Sequence, residues 1–123
     1  LNHLGNPAIT SAAPQAAWVS GIRAAAGCEN VFCKVSALVE GASRNGGKAP
    51  EQLDFYRPFL DVVWGAFGDG RVIYGSNWPV SEQAADYRVL QKLVADYAVE
   101  RGVDVPQRFF GGNSKAVWKW ADR

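Results

Sequence analysis

The chain of 123 residues is 48% hydrophobic and 12% aromatic, which is enough apolar content for a single domain with an ordinary core. Its 13 basic and 12 acidic residues leave a formal charge of +1 with the signs interleaved, a pattern that disfavours nucleic acid and anionic membranes as partners. The longest apolar runs are about five residues, and no secretion signal opens the chain. We therefore predict a cytoplasmic globular protein that binds a small molecule.

Amphipathic helices alternate with short β-branched strands along the chain, and glycines follow several helices at positions typical of helix ends. The predicted helices are 14–27, 53–67 and 86–101, with a helical turn at 107–110 and a final helix capped by Asn113. The predicted strands are an opening strand that ends at His3, then 31–35 and 71–74. Pro58 is tolerated only if its helix becomes regular near Tyr56. This alternation predicts parallel strands joined by crossovers.

Segment 40–50 is an eleven-residue stretch with Gly, Ser and Lys, and we predict a mobile surface or lid-like loop there. Four tryptophans on the helices are predicted to pack the helices against the sheet: Trp18, Trp64, Trp118 and Trp120. Three parallel strands with helices would leave both sheet edges unpaired. The pattern therefore indicates part of a larger fold.

The two cysteines, Cys28 and Cys33, are five residues apart, a spacing that fits neither a C-x-x-C redox motif nor a zinc knuckle. We predict buried free thiols, because a disulfide between a turn and the strand that leaves it is unfavourable in a reducing cytoplasm.

Polar side chains follow the predicted strands. His3, the only histidine, ends the first strand and is followed by turn residues, while Ser76, Asn77 and Trp78 follow strand 71–74. In parallel α/β proteins, ligands bind at the carboxyl ends of strands. The sequence therefore predicts a functional site at this edge of the sheet.

Four segments in this order carry a family resemblance: HLGNP at 3–7, NVFCKVSAL at 30–38, FGDGRVIYGSNWPV at 67–80 and FGGNSKA at 110–116. Together they resemble the C-terminal part of the amidohydrolase-related superfamily (amidohydrolase family 2), which contains lactone hydrolases and related decarboxylases. The resemblance covers essentially the whole chain. It implies an α/β fold that forms the C-terminal part, about strands six to eight with their helices, of a (β/α)8 TIM barrel. Residues 1–123 would then be one partial domain that lacks the N-terminal barrel half.

The resemblance also implies an incomplete active site. The family's H-x-H pair belongs to the first barrel strand and a further ligand or base to the middle of the barrel, whereas this chain has one histidine. We expect the isolated chain to be inactive and to need the remaining barrel half or a second copy as its partner. Its uncovered apolar sheet face predicts association or aggregation.

Two residues are candidates for catalysis by this resemblance. His3 would approach a metal or the scissile carbonyl, where a neutral imidazole can bind a divalent ion, accept a proton or hydrogen-bond an oxyanion. Many members carry Asp where this chain has Asn77, and an amide cannot act as a general base. Asn77 would instead orient water or substrate. The alternatives are a structural histidine at a strand corner and an asparagine that caps its own loop.

Three residues are candidates for substrate binding. Lys34 and Ser36 occupy alternate positions of one strand and therefore point to the same face. Lys34 would bind a substrate carboxylate, or would pair with a carboxylate from outside this chain. Trp78 would shape the pocket wall or serve packing.

The reading that combines these observations is a hydrolase acting on a lactone or a similar cyclic ester or amide. Its carbonyl would be polarised by a divalent metal such as zinc, with His3 as a ligand, or by hydrogen bonds without a metal. A decarboxylase of the same fold and a non-catalytic truncated remnant are the alternatives.

Overall fold

The computed structural model describes residues 1–119, in which a small parallel sheet is covered on one face by helices. The two strands are β1 (Cys33–Val35) and β2 (Val72–Tyr74). The helices are α1 (Ala16–Ala26), α2 (Leu38–Ala42), α3 (Leu53–Phe67), α4 (Tyr87–Arg101), α5 (Val105–Gln107) and α6 (Asn113–Trp118), with a π-helical stretch (Arg108–Gly112) between the last two. Short 3-10 turns lie at His3–Gly5 and Val80–Gln83. The predicted α/β alternation and the parallel pairing are confirmed.

The sheet pairs Cys33 with Val72 and Val35 with Tyr74 in parallel register. Both strands are shorter than predicted. The guanidinium of Arg71 donates to the carbonyl oxygens of Ala26, Cys28 and Val31 at 2.9–3.2 Å, so a side chain binds the backbone of the segment before β1. Those carbonyl groups therefore have hydrogen-bond donors without pairing to a neighbouring strand.

Within the described residues, the predicted opening strand is represented only by the pairing of Leu1 with β1. The Leu1 carbonyl accepts from the Lys34 amide at 2.8 Å, and the Leu1 amino nitrogen donates to the Phe32 carbonyl at 2.7 Å. These bonds lie on the edge of β1 that faces away from β2, where a third parallel strand would pair. At His3 the chain already turns, so the prediction of a strand that ends at His3 is wrong in its extent.

Helix α3 has the predicted bounds and buries one apolar stripe: Tyr56, Phe59, Leu60, Val63, Trp64 and Phe67. The Trp64 ring lies 4.9 Å from that of Tyr97 and 5.0 Å from that of Phe109, which joins α3 to α4 and to the π-helical stretch. The expectation for Pro58 is wrong, because the helix begins at Leu53 and includes it. Pro58 is exposed in the second turn, where its missing N–H removes one helical hydrogen bond.

Helix α4 begins where the Asp86 carboxylate accepts from the Arg88 amide at 2.8 Å, an N-cap that satisfies one of the free donors of the first turn. Its buried face consists of the predicted residues: Leu90, Leu93, Val94, Tyr97 and Ala98. Gly102 follows the helix with a φ of 147°, a conformation open mainly to glycine.

The predicted cap at Asn113 is wrong. Asn113 has helical dihedrals within a run of helical turns, and its buried amide donates to the carbonyls of Asp69 at 2.6 Å and Val72 at 2.8 Å. The side chain therefore joins the last helical segment to the start of β2, and the helix needs no new start there.

Two other predictions change with the structure. Segment 40–50 is only partly a loop, because the fully buried Leu38 and Val39 hold Glu40 in helix α2. Trp118 does not pack against the core, since 61% of it is exposed; Trp64 is buried, Trp18 is half-buried, and Trp120 lies outside the described residues.

The cysteines are free, as predicted, but only Cys33 is buried. Cys28 is exposed in the turn before β1. No helix within residues 1–119 has both the length and the apolar character needed to cross a membrane.

Candidate functional site

The sheet has two chemically different faces. Cys33, Val35, Val72 and Tyr74 pack in or against the core under the helices. Because side chains alternate along a strand, Lys34, Ser36, Ile73 and Gly75 belong to the opposite face. This second face carries the polar residues, and it is continuous with the loops at the carboxyl ends of β1 and β2.

His3 and Ser36 meet at this edge. His3 Nδ1 lies 2.8 Å from Ser36 Oγ, a hydrogen bond between the turn after Leu1 and the residue after β1. Ser36 is only 2% exposed, whereas His3 is half-buried. A buried hydroxyl with a fixed position therefore holds one ring nitrogen and orients the imidazole.

Nε2 of His3 remains free to react, because the bond between Nδ1 and Ser36 is the only hydrogen bond that the His3 ring makes among the described residues. When Nδ1 carries the proton and donates to Ser36, Nε2 has a free lone pair that can take a proton or bind a metal. When Ser36 donates instead, Nε2–H can donate to an oxyanion. The hydrogen bond therefore leaves each role predicted for His3 chemically open.

Lys34 and Ser36 share a face, as predicted, and Gly75 provides the space beside them. A Cβ added at Gly75 would lie 3.1 Å from Lys34 Cδ and 3.3 Å from Ser36 Cβ, so only glycine fits without a shift. Within residues 1–119 no carboxylate lies within ion-pair distance of the Lys34 ammonium. Lys34 therefore brings an unneutralised positive charge to this part of the molecule.

Asn77 lies in the loop after β2, and its amide Nδ2 donates to Glu40 Oε1 at 2.8 Å. Glu40 is on α2, immediately after β1, so this bond connects the loops of the two strands. The other carboxylate oxygen of Glu40, Oε2, is buried and has no hydrogen-bond partner in the described part of the chain.

The backbone adopts the left-handed conformation in the loops after both strands and in the opening turn, with φ of 53° at Ala37, 58° at Asn77 and 53° at His3. This region costs an L-residue other than glycine roughly 1–2 kcal/mol, and asparagine tolerates it best. Such strain recurs at sites where the backbone must aim a side chain.

Trp78 follows Asn77 but points outward, with 56% of it exposed. Its indole Nε1 donates to Glu82 Oε1 at 2.7 Å, and it forms a shallow groove with Ser76 and Tyr87. The structure thus brings His3, Lys34 and Ser36 together and pairs Asn77 with Glu40, while Trp78 lines a separate groove.

The described residues, 1–119, do not by themselves provide a set of ligands for a metal ion. Nowhere in residues 1–119 do three His, Cys, Asp or Glu side chains cluster closely enough to bind one. His3 has a nitrogen free for coordination, but a divalent metal in protein sites needs several such ligands.

Sequence reasoning missed Glu40, because the composition of segment 40–50 predicts a loop. A signal is present in the sequence: the acidic Glu40 directly follows the apolar Leu38 and Val39 and lies four positions after Ser36. Read as the first turn of a helix, that pattern places a carboxylate near the strand ends.

A family model described as Amidohydrolase matches residues 1–120. The chain belongs to the amidohydrolase family. It is 34% identical over 105 residues to an L-fucono-1,5-lactonase of Burkholderia multivorans, with 82% of this chain and 36% of the relative covered. A second L-fucono-1,5-lactonase, from Burkholderia ambifaria, is 33% identical over 118 residues, which cover 93% of this chain and 39% of that protein.

Solved amidohydrolases share the fold. A crystal structure of an amidohydrolase from Burkholderia multivorans with bound zinc superposes with a TM-score of 0.87 at 32% identity, covering 98% of this chain and 43% of that one. Such neighbours are TIM barrels, and this amidohydrolase chain spans about 36–44% of the length of its first relatives. The resemblance noted from the sequence is therefore confirmed at the level of the family.

Proposed function

We propose that this chain is the C-terminal part, about strands six to eight, of a TIM-barrel amidohydrolase that hydrolyses a lactone. The remaining barrel half, from the same gene product or from a second copy, would complete the fold. The observation that carries the proposal is the His3–Ser36 hydrogen bond at the carboxyl end of the strands, the edge at which such barrels hold their active sites. The two lactonase relatives, each about one-third identical, support the substrate class.

In the proposed reaction, the oxygen of a water molecule forms a bond to the lactone carbonyl carbon, and the ring C–O bond breaks. One water proton reaches the departing ring oxygen, which leaves as a hydroxyl, and the other is released as the new carboxylic acid ionises. His3, oriented by Ser36, accepts the water proton at Nε2 and delivers it to the ring oxygen. Asn77 orients the water or the substrate through its amide.

Lys34 contributes its charge. Its ammonium has no carboxylate partner within residues 1–119 and lies on the polar face with Ser36 and Gly75. A positive charge there stabilises the negative charge that develops on the carbonyl oxygen and then on the product carboxylate. Trp78 would bind the substrate only if the substrate extends into the groove beside Ser76 and Tyr87.

The test is hydrolysis of L-fucono-1,5-lactone by the complete gene product that contains this chain, followed with a pH indicator. His3→Ala should lower kcat/KM by about 10²- to 10⁴-fold, the usual effect of removing a general acid–base group. Lys92→Ala, an exposed change on α4, is the matched control. Unchanged activity in His3→Ala would contradict the proposed role. If the parent protein hydrolyses no sugar lactone, the lactonase proposal fails and decarboxylation becomes the reaction to assay.

The same assay, run with and without a chelator, tests whether hydrolysis requires a metal ion. Activity that survives chelation and falls in Asn77→Ala would indicate hydrolysis driven by hydrogen bonds without a metal. Activity that is lost on chelation and restored by zinc would instead assign His3 Nε2 to a metal site completed by residues outside the described chain.

A further inference from the structure

The Glu40–Asn77 hydrogen bond satisfies only part of the Glu40 carboxylate. Oε1 receives one neutral amide donor, whereas Oε2 of this half-buried residue is itself buried with no partner in residues 1–119. No Lys or Arg of the described chain forms an ion pair with Glu40. A glutamine could make the same bond without burying a charge, which burial penalises unless it is paired. Stability therefore does not explain why this residue is an acid.

The carboxylate does determine which way the Asn77 amide points. An ionised carboxylate only accepts hydrogen bonds, so the NH2 group of Asn77 must face Glu40 and its carbonyl oxygen Oδ1 must face away. A glutamine at position 40 could pair with either orientation of the amide. The left-handed φ of 58° at Asn77 additionally holds the side chain at the end of β2.

From this geometry we propose that Glu40 is a positioning residue, which locks the Asn77 amide so that Oδ1 is a fixed hydrogen-bond acceptor for the attacking water or for a substrate hydroxyl. This inference rests on the proposed hydrolysis and adds a residue to it. Asn77 Oδ1 accepts no hydrogen bond from the described residues, so it is available for this purpose.

The fixed orientation of the Asn77 amide also explains how an asparagine can act as a hydrogen-bond acceptor at a position where an aspartate would be the simpler acceptor. Two carboxylates 2.8 Å apart cannot both remain ionised and would share a proton. Glutamate on α2 together with asparagine after β2 places one negative charge and one oriented acceptor side by side. The proton then has to be accepted by another group, for which His3 is available.

The experiment uses the complete gene product with Glu40→Gln, Asn77→Asp and the double variant, and Glu29→Gln, an exposed acid before β1, as the matched control. Glu40→Gln should lower kcat for lactone hydrolysis about 10- to 100-fold, because a misplaced catalytic contact costs about that much. Asn77→Asp should introduce a new pH dependence, with activity that falls as the shared proton is lost. The double variant restores one amide–carboxylate bond with its direction reversed and should be more active at neutral pH than either single variant.

A second readout does not depend on turnover. With 15N-labelled asparagine, the two side-chain amide protons of Asn77 should give well-separated NMR signals that shift or broaden in Glu40→Gln and not in Glu29→Gln. If the parent protein is inactive on lactones but the Asn77 signals shift or broaden in Glu40→Gln, the proposed function fails, while the positioning of Asn77 by Glu40 is supported. Variants that lose only melting temperature, with kcat, pH profile and Asn77 signals unchanged, would overturn the inference.

Discussion

Gly75 and Ser36 lie against each other at the ends of the two strands, so closely that a methyl group between them would require a shift. The Cβ that alanine would add at Gly75 would be 3.3 Å from Ser36 Cβ and 3.1 Å from Lys34 Cδ. Since Ser36 also holds the ring of His3, this close approach connects the packing of the sheet to the candidate site.

Gly75→Ala should therefore damage the site more than the fold. We expect a stability loss of about 1–3 kcal/mol, typical of overpacking, and a fall in kcat/KM as Ser36 and Lys34 are displaced. Gly70→Ala is the control, because a Cβ there meets no atom within 4 Å. Equal activity of the two variants in a lactone assay would show that the approach of Gly75 to Ser36 does not matter for function.

Ser36→Ala should leave His3 in place but free its ring to rotate. A hydrogen bond of this kind contributes about 1 kcal/mol, so we expect kcat/KM to fall about fivefold. Ser20→Ala, on the exposed face of α1, should leave kcat/KM unchanged. A kcat/KM of Ser36→Ala equal to that of the parent would remove Ser36 from the mechanism.

Asn113→Ala should destabilise the protein without altering a purified, folded active site. It removes two hydrogen bonds and leaves the carbonyls of Asp69 and Val72 without their amide donor, at a cost of about 1–3 kcal/mol. The measurement is urea unfolding, with the exposed Lys115→Ala as control. A loss below a few tenths of a kcal/mol would mean that water replaces the amide.

The two thiols should react at very different rates. Burial raises the pKa of Cys33 to about 12, so it carries little thiolate at pH 8, whereas Cys28 is exposed. Iodoacetamide should modify one thiol per native chain and both after denaturation, and mass spectrometry should locate the first on Cys28. Rapid labelling of Cys33 in the native protein would indicate that α1 and β1 open readily.

Stability should fall in alkaline solution. Burial, followed by the hydrogen bond to Asp61, raises the pKa of Tyr97 well above its usual range. The unfolded chain releases this proton near pH 10 and the folded chain does not. The free energy of unfolding is therefore unaffected by Tyr97 below about pH 9 and declines above pH 10. Tyr97→Phe should make that decline shallower in urea titrations between pH 8 and 11, and an unchanged slope would refute this linkage.

The sequence by itself determined the class of the fold and where the candidate site residues lie relative to the strands. Helical spacing predicted the buried stripes of α3 and α4, because side chains on one face of a helix recur with a fixed period whatever they pack against. Polar residues after β-branched segments located His3 and Asn77 near the carboxyl ends of the strands. The four motifs in order identified the family, which the match over residues 1–120 confirms.

Tertiary contacts decided the hydrogen-bond partners of several polar side chains, which the local sequence pattern does not predict. Arg71 hydrogen-bonds carbonyls of the segment before β1, 40–45 positions earlier in the chain. Asn113, an apparent helix cap in the sequence, instead joins the last helical segment to the start of β2 through carbonyls 41–44 residues away. Glu40 became part of the site only when folding brought α2 against the loop after β2, 37 residues later. Spacing along the sequence reports which face a side chain shares with its near neighbours, whereas a hydrogen bond between distant residues depends on how the elements pack.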